Sequence, residues 1–188
     1  MKKTNREVKI DVTKIDIIRK LRNKNAILIG GSKEVTTRYD TIDRSLEKQG
    51  KFIRIMEGFR NTVTLKEKVT ENTSLFERDE FCVEIDDVEN IQEILERIGL
   101  MPILKMEKYR LKWDLDGVKL NLDELPFGLY LEIHGNEKNV ENIMSKLDLR
   151  EEERIIETYW DIYNKYKKEN NITESDITFS KDYNYRLM

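Results

Sequence analysis

The chain has 188 residues, the length of one domain with room for a real core. Hydrophobic residues make up 38% and charged residues another 38%, with 34 Lys+Arg nearly cancelling 37 Asp+Glu to a net charge of −3. An ordinary domain is about 25% charged, and this surplus without net charge excludes both disorder and a dedicated duplex-nucleic-acid binder. Cys82 and His134 are the single cysteine and histidine, so a disulfide framework or a zinc site of several Cys or His ligands is excluded.

The opening residues Met1-Lys2-Lys3-Thr4-Asn5 lack the apolar core of a signal peptide. No apolar run approaches the ~20 residues of a membrane span. The expectation is a cytoplasmic protein without membrane association. Thr4 to Val12 reads as a strand, and Thr13 to Asn25 as a helix capped by Thr13 with Ile15, Ile18 and Leu21 inward. Ala26 to Thr41 is extended, with a turn at Gly30-Gly31, and Asp43 to Gln49 is a short helix ended by Gly50. Lys51 to Glu57 and Asn61 to Val69 read as a hairpin around Gly58, followed by a strand at Arg78 to Asp86. Asp87 to Ile98 is an amphipathic helix closed by Gly99. Lys105 to Leu115 and Val118 to Leu122 flank Asp116-Gly117, a type I′ hairpin signal, and Leu129 to His134 is the last strand. Helices are predicted at Asn139 to Leu147 and Glu151 to Lys168, inside a helical C-terminal segment of about 136–188. With two prolines, eight glycines and no internal repeat, the whole chain reads as one α+β domain with a mostly antiparallel sheet.

Residues two apart on a strand share a face. Asn5, Glu7 and Lys9 therefore oppose Val8 and Ile10, and Arg54 opposes Ile53 and Ile55. Thr64, Lys66 and Lys68 oppose Val63 and Leu65, while Arg78, Glu80, Cys82 and Glu84 oppose Phe81, Val83 and Ile85. Lys108, Arg110 and Lys112 oppose Tyr109, Leu111 and Trp113; Asn121 and Asp123 oppose Leu120 and Leu122; Tyr130, Glu132 and His134 oppose Leu129, Leu131 and Ile133. Each strand thus has an ionic and an aliphatic face. Two arrangements satisfy this pattern. An open sheet can pack its aliphatic face on helices and show its charges to water, or the sheet can close with its charges inside. A charged interior is costly unless something compensates it. Phosphates and a hard divalent cation, Mg²⁺ or Mn²⁺, would do so.

Several segments in order resemble the CYTH superfamily, the triphosphate tunnel metalloenzymes. Asn5-Arg6-Glu7-Val8-Lys9 resembles its E-x-E-x-K signature. Tyr39-Asp40-Thr41 with Leu46 and Gly50 resembles its Y-D-T stretch, and Arg54-Ile55-Met56 its R-x-R strand. Thr64-Leu65-Lys66, Arg78-Asp79-Glu80 with Glu84, Lys108-Tyr109-Arg110, Leu122-Asp123 and Gly128 to Glu132 are similar to its later strands, so the match spans about residues 5–134. The resemblance implies a closed eight-stranded antiparallel β-barrel, a triphosphate tunnel with helices packed outside. It also implies that Lys9, Arg54, Lys66, Lys108 and Arg110 grip the substrate. Glu7, Glu80, Glu84, Asp123 and Glu132 become candidate ligands of Mg²⁺ or Mn²⁺, and Lys66, Lys9 and His134 the catalytic candidates.

Asn5, Met56 and His134 depart from the family pattern, where Glu, Arg and Glu are expected. His134 can ligate Mn²⁺, contact phosphate, act as a base or simply pair with a neighbouring acid. The implied activity is hydrolysis of the terminal phosphate of tripolyphosphate, ATP or thiamine triphosphate by a monomer or homodimer. The alternatives are class IV adenylate cyclase chemistry, ATP to cAMP and pyrophosphate, and non-catalytic binding of nucleotide or polyphosphate. Elsewhere, Gly30-Gly31-Ser32-Lys33 lacks the spacing of a phosphate loop. Tyr159, Trp160, Tyr163 and Tyr166 read as a packing face rather than a base-stacking surface, and Glu151-Glu152-Glu153-Arg154 as a solvated helix start.

Overall fold

A computed structural model describes residues 2–68, 75–150 and 152–187, except the side chains of Lys2, Lys3 and Phe76. The strands are β1 (Lys2–Asp11), β2 (Ile27–Asp40), β3 (Lys51–Glu57), β4 (Thr62–Lys68), β5 (Phe76–Glu84), β6 (Met101–Leu115), β7 (Val118–Leu125) and β8 (Gly128–His134). The helices are α1 (Ile17–Asn23), α2 (Ser45–Lys48), α3 (Val88–Arg97), α4 (Glu137–Lys146) and α5 (Tyr159–Asn170). The strands form a closed antiparallel barrel in the order β1-β5-β4-β3-β2-β6-β7-β8, with β8 paired back onto β1. Closure settles the choice between the two arrangements. Each strand finds hydrogen-bonding partners on both edges, and the alternating ionic faces turn inward together.

The aliphatic faces lie outside, most of them under helices, while Phe81 and Val83 of β5 stay exposed. Val8, Ile10, Leu120, Leu122, Leu131 and Ile133 meet Ile17 and Leu21 of α1 and Val140, Ile143 and Met144 of α4 in the largest apolar cluster. Tyr39 and Ile55 form a second cluster with Leu95 of α3, which Leu46 of α2 also joins. Asp40 seats α2 from inside the chain: it is fully buried and accepts from the backbone N–H groups of Thr41, Leu46 and Glu47. No helix among the described residues is long and apolar enough to cross a membrane.

Three local expectations change. The helix predicted from Thr13 begins at Ile17, because Asp16 rather than Thr13 takes the capping bond from the N–H of Arg19; the Thr13 hydroxyl instead accepts from Leu129 N at 2.9 Å. Gly30-Gly31 is not a turn but part of β2, paired with Lys112 and Leu111 beyond a bulge after Leu28. A Cβ on Gly31 would stand 2.5 Å from the Leu111 side chain and 3.2 Å from the Arg110 carbonyl oxygen, so a larger residue there would make Leu111 move aside. The helix expected from Glu151 starts at Tyr159, where Thr158 and Asp161 form a reciprocal capping box. Before it the chain is extended, and Ile155 exchanges two backbone hydrogen bonds with Lys9 of β1. Val69, assigned to a strand, and Glu151, assigned to the helix start, lie outside the described residues.

Candidate active site

The barrel encloses a cavity of about 230 Å³, roughly fifteen times the ~15 Å³ that one water needs. Every strand points an ionic residue into it, β7 through Lys119. Seven lysine and arginine side chains (Lys9, Arg38, Arg54, Lys66, Lys108, Arg110 and Lys119) face three carboxylates, those of Glu7, Glu80 and Glu132. The wall therefore carries a positive excess in a confined, poorly solvated space, where charge interactions are stronger than in water.

The carboxylates concentrate on the β1–β8 seam. Lys9 Nζ donates to Glu7 Oε1 at 2.9 Å and lies 4.0 Å from Glu132 Oε1, all three groups being buried. Burial alone would lower the Lys9 pKa, but Glu7 and Glu132 outweigh it and hold the amine above its ordinary value. Burial and mutual repulsion would raise Glu7, yet Lys9, His134 and Lys66 keep it well below the carboxylate range. Glu132 is likewise held well down against burial, by Arg110 first and then by Lys108 and Lys9. His134 sits opposite Glu7 across the strand pair, with Nδ1 3.2 Å from Asn5 Oδ1 and Nε2 2.8 Å from Asn121 Nδ2. Glu7, Glu132 and His134 each offer a ligand atom, and these lie within 4.8 Å of one another. Two carboxylates and an imidazole nitrogen are a donor set that fits a divalent cation.

Asp123 has a different place. It is fully buried, and its oxygens accept from both arms of the Arg110 guanidinium, from Lys108 Nζ at 3.2 Å and from the Tyr159 hydroxyl at 2.9 Å. Glu34, buried behind the same cations, lies 3.4 Å from Lys108 Nζ and 3.8 Å from Arg110 Nε. These two carboxylates hold Lys108 and Arg110 in position. Arg110 also reaches Glu132 Oε2 at 2.6 Å, linking the basic cluster to the seam.

The β2–β3–β4 side is less compensated. Lys66 pairs with Glu80 and is lowered to about 8, by burial first and then by Arg54 beside it. The buried Nε atoms of Arg54 and Arg38 have no hydrogen-bond partner among the described residues. The Arg38 guanidinium carbon lies 4.6 Å from the centre of the Phe52 ring. The start of α5 contributes Thr158, Tyr159 and Trp160 to the lining, which also includes Phe52, Leu104, Met106 and Ile177. Lys9 and Lys108 approach the Tyr159 ring at 5.3 and 5.5 Å.

Of the residues singled out in the sequence, Lys9, Arg54, Lys66, Lys108, Arg110, Glu7, Glu80, Glu132 and His134 line this cavity, with Asp123 buried behind it. Glu84 does not join them. It is exposed near the end of β5, paired with Arg60 at 2.5 Å. Sequence reading passes over Glu34, Thr36 and Arg38, although their alternation on β2 signals a shared face, and over Lys119, which shares the parity of Asn121 and Asp123. It also assigns Tyr159 and Trp160 to packing alone. Both do pack, with Tyr163 and Tyr166 of α5, but both also face the cavity.

A search of curated proteins finds no match for the chain. Among solved structures it resembles the PH1012 protein of Pyrococcus horikoshii OT3, at 22% identity over 82% of this chain and 96% of that one, with a TM-score of 0.69. A proposed adenylate cyclase of Vibrio parahaemolyticus matches at 19% identity, covering 86% of this chain and 98% of that one, with a TM-score of 0.69. A Hippeastrum protein proposed as an adenylyl cyclase, and described as having a dominant triphosphatase activity, matches at 14% identity over 86% and 96% of the two chains, with a TM-score of 0.65. At these identities the likeness is one of fold. The model of the CYTH domain matches residues 3–169, nearly the whole chain, and the protein is a member of the CYTH family.

Proposed function

We propose that the cavity binds a triphosphate together with a divalent cation, Mg²⁺ or Mn²⁺, and that the protein hydrolyses the terminal phosphate of tripolyphosphate or of an organic triphosphate. The observation that carries this reading is the undercompensated cationic side of the cavity: among the described residues Arg38, Arg54 and Lys66 have Glu80 and, at 3.9 Å, Glu47 as ion-pair partners, and the buried Nε atoms of Arg54 and Arg38 have no hydrogen-bond partner. A buried guanidinium with an unmet donor is costly, and phosphate oxygens meet that need with charge-assisted bonds.

In this mechanism Arg54, Lys66 and Arg38 hold the phosphate chain from one side, while Lys108 and Arg110, fixed by Asp123 and Glu34, hold it from the other. Positioning and neutralisation of developing charge supply most of phosphoryl-transfer catalysis. Glu7, Glu132 and His134 would hold the cation, which supplies Lewis-acid polarisation of a phosphoryl oxygen. Lys66 combines a charge for the transferring phosphoryl group with a pKa low enough to release a proton near neutrality. Lys9 keeps both seam carboxylates ionised and oriented.

A second reading is conversion of ATP to cAMP and pyrophosphate. The apolar flank of Phe52, Leu104, Met106 and Trp160 favours it, because a bare polyphosphate has no use for such a surface. Incubation with Mg²⁺ or Mn²⁺ and, in separate tubes, tripolyphosphate, ATP or thiamine triphosphate tests both. Phosphate release supports hydrolysis and cAMP supports cyclisation. Binding without turnover would make the protein a non-catalytic triphosphate receptor, and absence of binding would overturn the proposal.

A further inference from the structure

We infer that His134 makes the cation site of this cavity select Mn²⁺ over Mg²⁺, by placing one nitrogen donor among its oxygens. The inference rests on the triphosphate reading for the cation's purpose, but its chemistry stands on the donor atoms alone.

The geometry fixes the imidazole. Asn5 Nδ2 donates to Glu7 Oε2 at 2.7 Å, and a carboxylate can only accept, so the Asn5 carbonyl must face the other way. That carbonyl lies 3.2 Å from His134 Nδ1, which must therefore carry the hydrogen. Nε2 then carries the lone pair, which the Asn121 amide occupies at 2.8 Å, so ligation of a cation by Nε2 would replace that hydrogen bond. One side chain, Asn5, thus orients a carboxylate and sets the tautomer of the imidazole beside it. Outer partners of this kind are what hold metal-binding histidines in register. A glutamate in place of Asn5 could accept from the imidazole but could not donate to Glu7. The two departures from the family pattern, Asn5 and His134, are therefore fitted to each other.

A second observation points to a ligand at the same place. Asn121 is fully buried, and its Nδ2 touches both His134 Nε2 and Glu132 Oε2, at 2.8 and 3.1 Å. Its Oδ1 has no hydrogen-bond partner among the described residues. An acceptor left unmet at such depth, beside two carboxylates and an imidazole, is satisfied by a cation or by a water carried on one. Mg²⁺ prefers an all-oxygen octahedron, whereas imidazole suits first-row transition ions; Mn²⁺ accepts both donor types.

The test uses the metal-free full chain without any triphosphate. Titration with MnCl₂, followed by the paramagnetic resonance signal of free Mn²⁺, gives its affinity, and competition with MgCl₂ gives the selectivity. Mn²⁺ is expected to bind at least about tenfold more tightly than Mg²⁺. Electron-spin-echo modulation from ¹⁴N on the bound Mn²⁺ is expected in the parent protein, a readout that needs no variant. In His134→Glu the nitrogen modulation is lost and the preference for Mn²⁺ narrows; in His134→Gln Mn²⁺ affinity falls by about tenfold or more. Equal affinities for the two ions, or bound Mn²⁺ without nitrogen modulation, would overturn the inference, as would absence of saturable Mn²⁺ binding. Failure of the triphosphate reading looks different: selectivity and nitrogen modulation intact, with tripolyphosphate and ATP neither bound nor turned over.

Discussion

The two sides of the cavity are built on opposite principles. On the side of β1, β6, β7 and β8 the central charges are paired: Lys9 with Glu7 and Glu132, Arg110 with Asp123 and Glu132, and Lys108 with Asp123 and with Glu34 of β2. On the wall of β2, β3 and β4 the cations outnumber their partners, and two guanidinium Nε atoms have none among the described residues. A fully paired buried network organises itself. An unpaired one waits for something outside the chain. The difference teaches that the seam is framework and cation site, while the opposite wall is where an anion completes the structure.

The contrast predicts opposite outcomes for deletions on the two sides. Lys66→Ala should cut triphosphate turnover by about 10²–10³-fold, the scale of one lost transition-state donor, with thermal stability little changed; steady-state phosphate release and a melting curve check both halves. Asp123→Ala should do the reverse first. It takes the Asp123 carboxylate from Arg110 and Lys108, leaving them Glu34 and Glu132, and losing one partner of a buried pair costs up to about 3–5 kcal/mol, so the denaturant midpoint should drop. If Asp123→Ala kept parental stability, the seam would not be framework.

Much of this was legible in the residue order. Ionic faces alternate with aliphatic ones along Asn5-Glu7-Lys9, Lys108-Arg110 and Glu132-His134, and period-two placement survives into the barrel because a one-residue slip would bury the wrong face everywhere. Alternation alone permits both sheets and by itself favours the open one. Closure depends on β8 pairing with β1, a contact between residues more than a hundred positions apart that leaves no local mark. Inside the site, the family resemblance makes Asp123 a candidate metal ligand, a role it could fill only by giving up bonds its oxygens accept from the Tyr159 hydroxyl and the Arg110 fork. Glu84 shares the parity of Glu80 but sits near the end of β5, where it meets solvent and Arg60. The start of α5 was misplaced because Ile155 is held by Lys9 of β1, a tertiary pairing that overrides the helical pattern of Glu152 to Glu157.

A smaller effect sharpens the anion wall. Lys66 is lowered from the ordinary 10.5 to about 8, chiefly by burial and by Arg54. Its protonated form binds anions, so triphosphate affinity should be level below pH 8 and fall as pH rises through that value. Lys66→Arg should remove the decline, because a guanidinium stays charged throughout. The same fall in both proteins would move the titrating group elsewhere. Smallest of all is Glu84→Gln. An exposed ion pair is worth about 0–1 kcal/mol, so both turnover and stability should stay near parental values, and a large loss of activity would return Glu84 to the site.

The most direct test is calorimetric titration of tripolyphosphate, with Mg²⁺ present, into the parent chain and Arg54→Ala. The parent should bind one equivalent, and the variant should bind about 10–100-fold more weakly, as expected for loss of charge-assisted bonds worth about 1.5–3 kcal/mol. Absence of binding by the parent, or equal affinity in the two proteins, would contradict the assignment of the underneutralised wall to an anion.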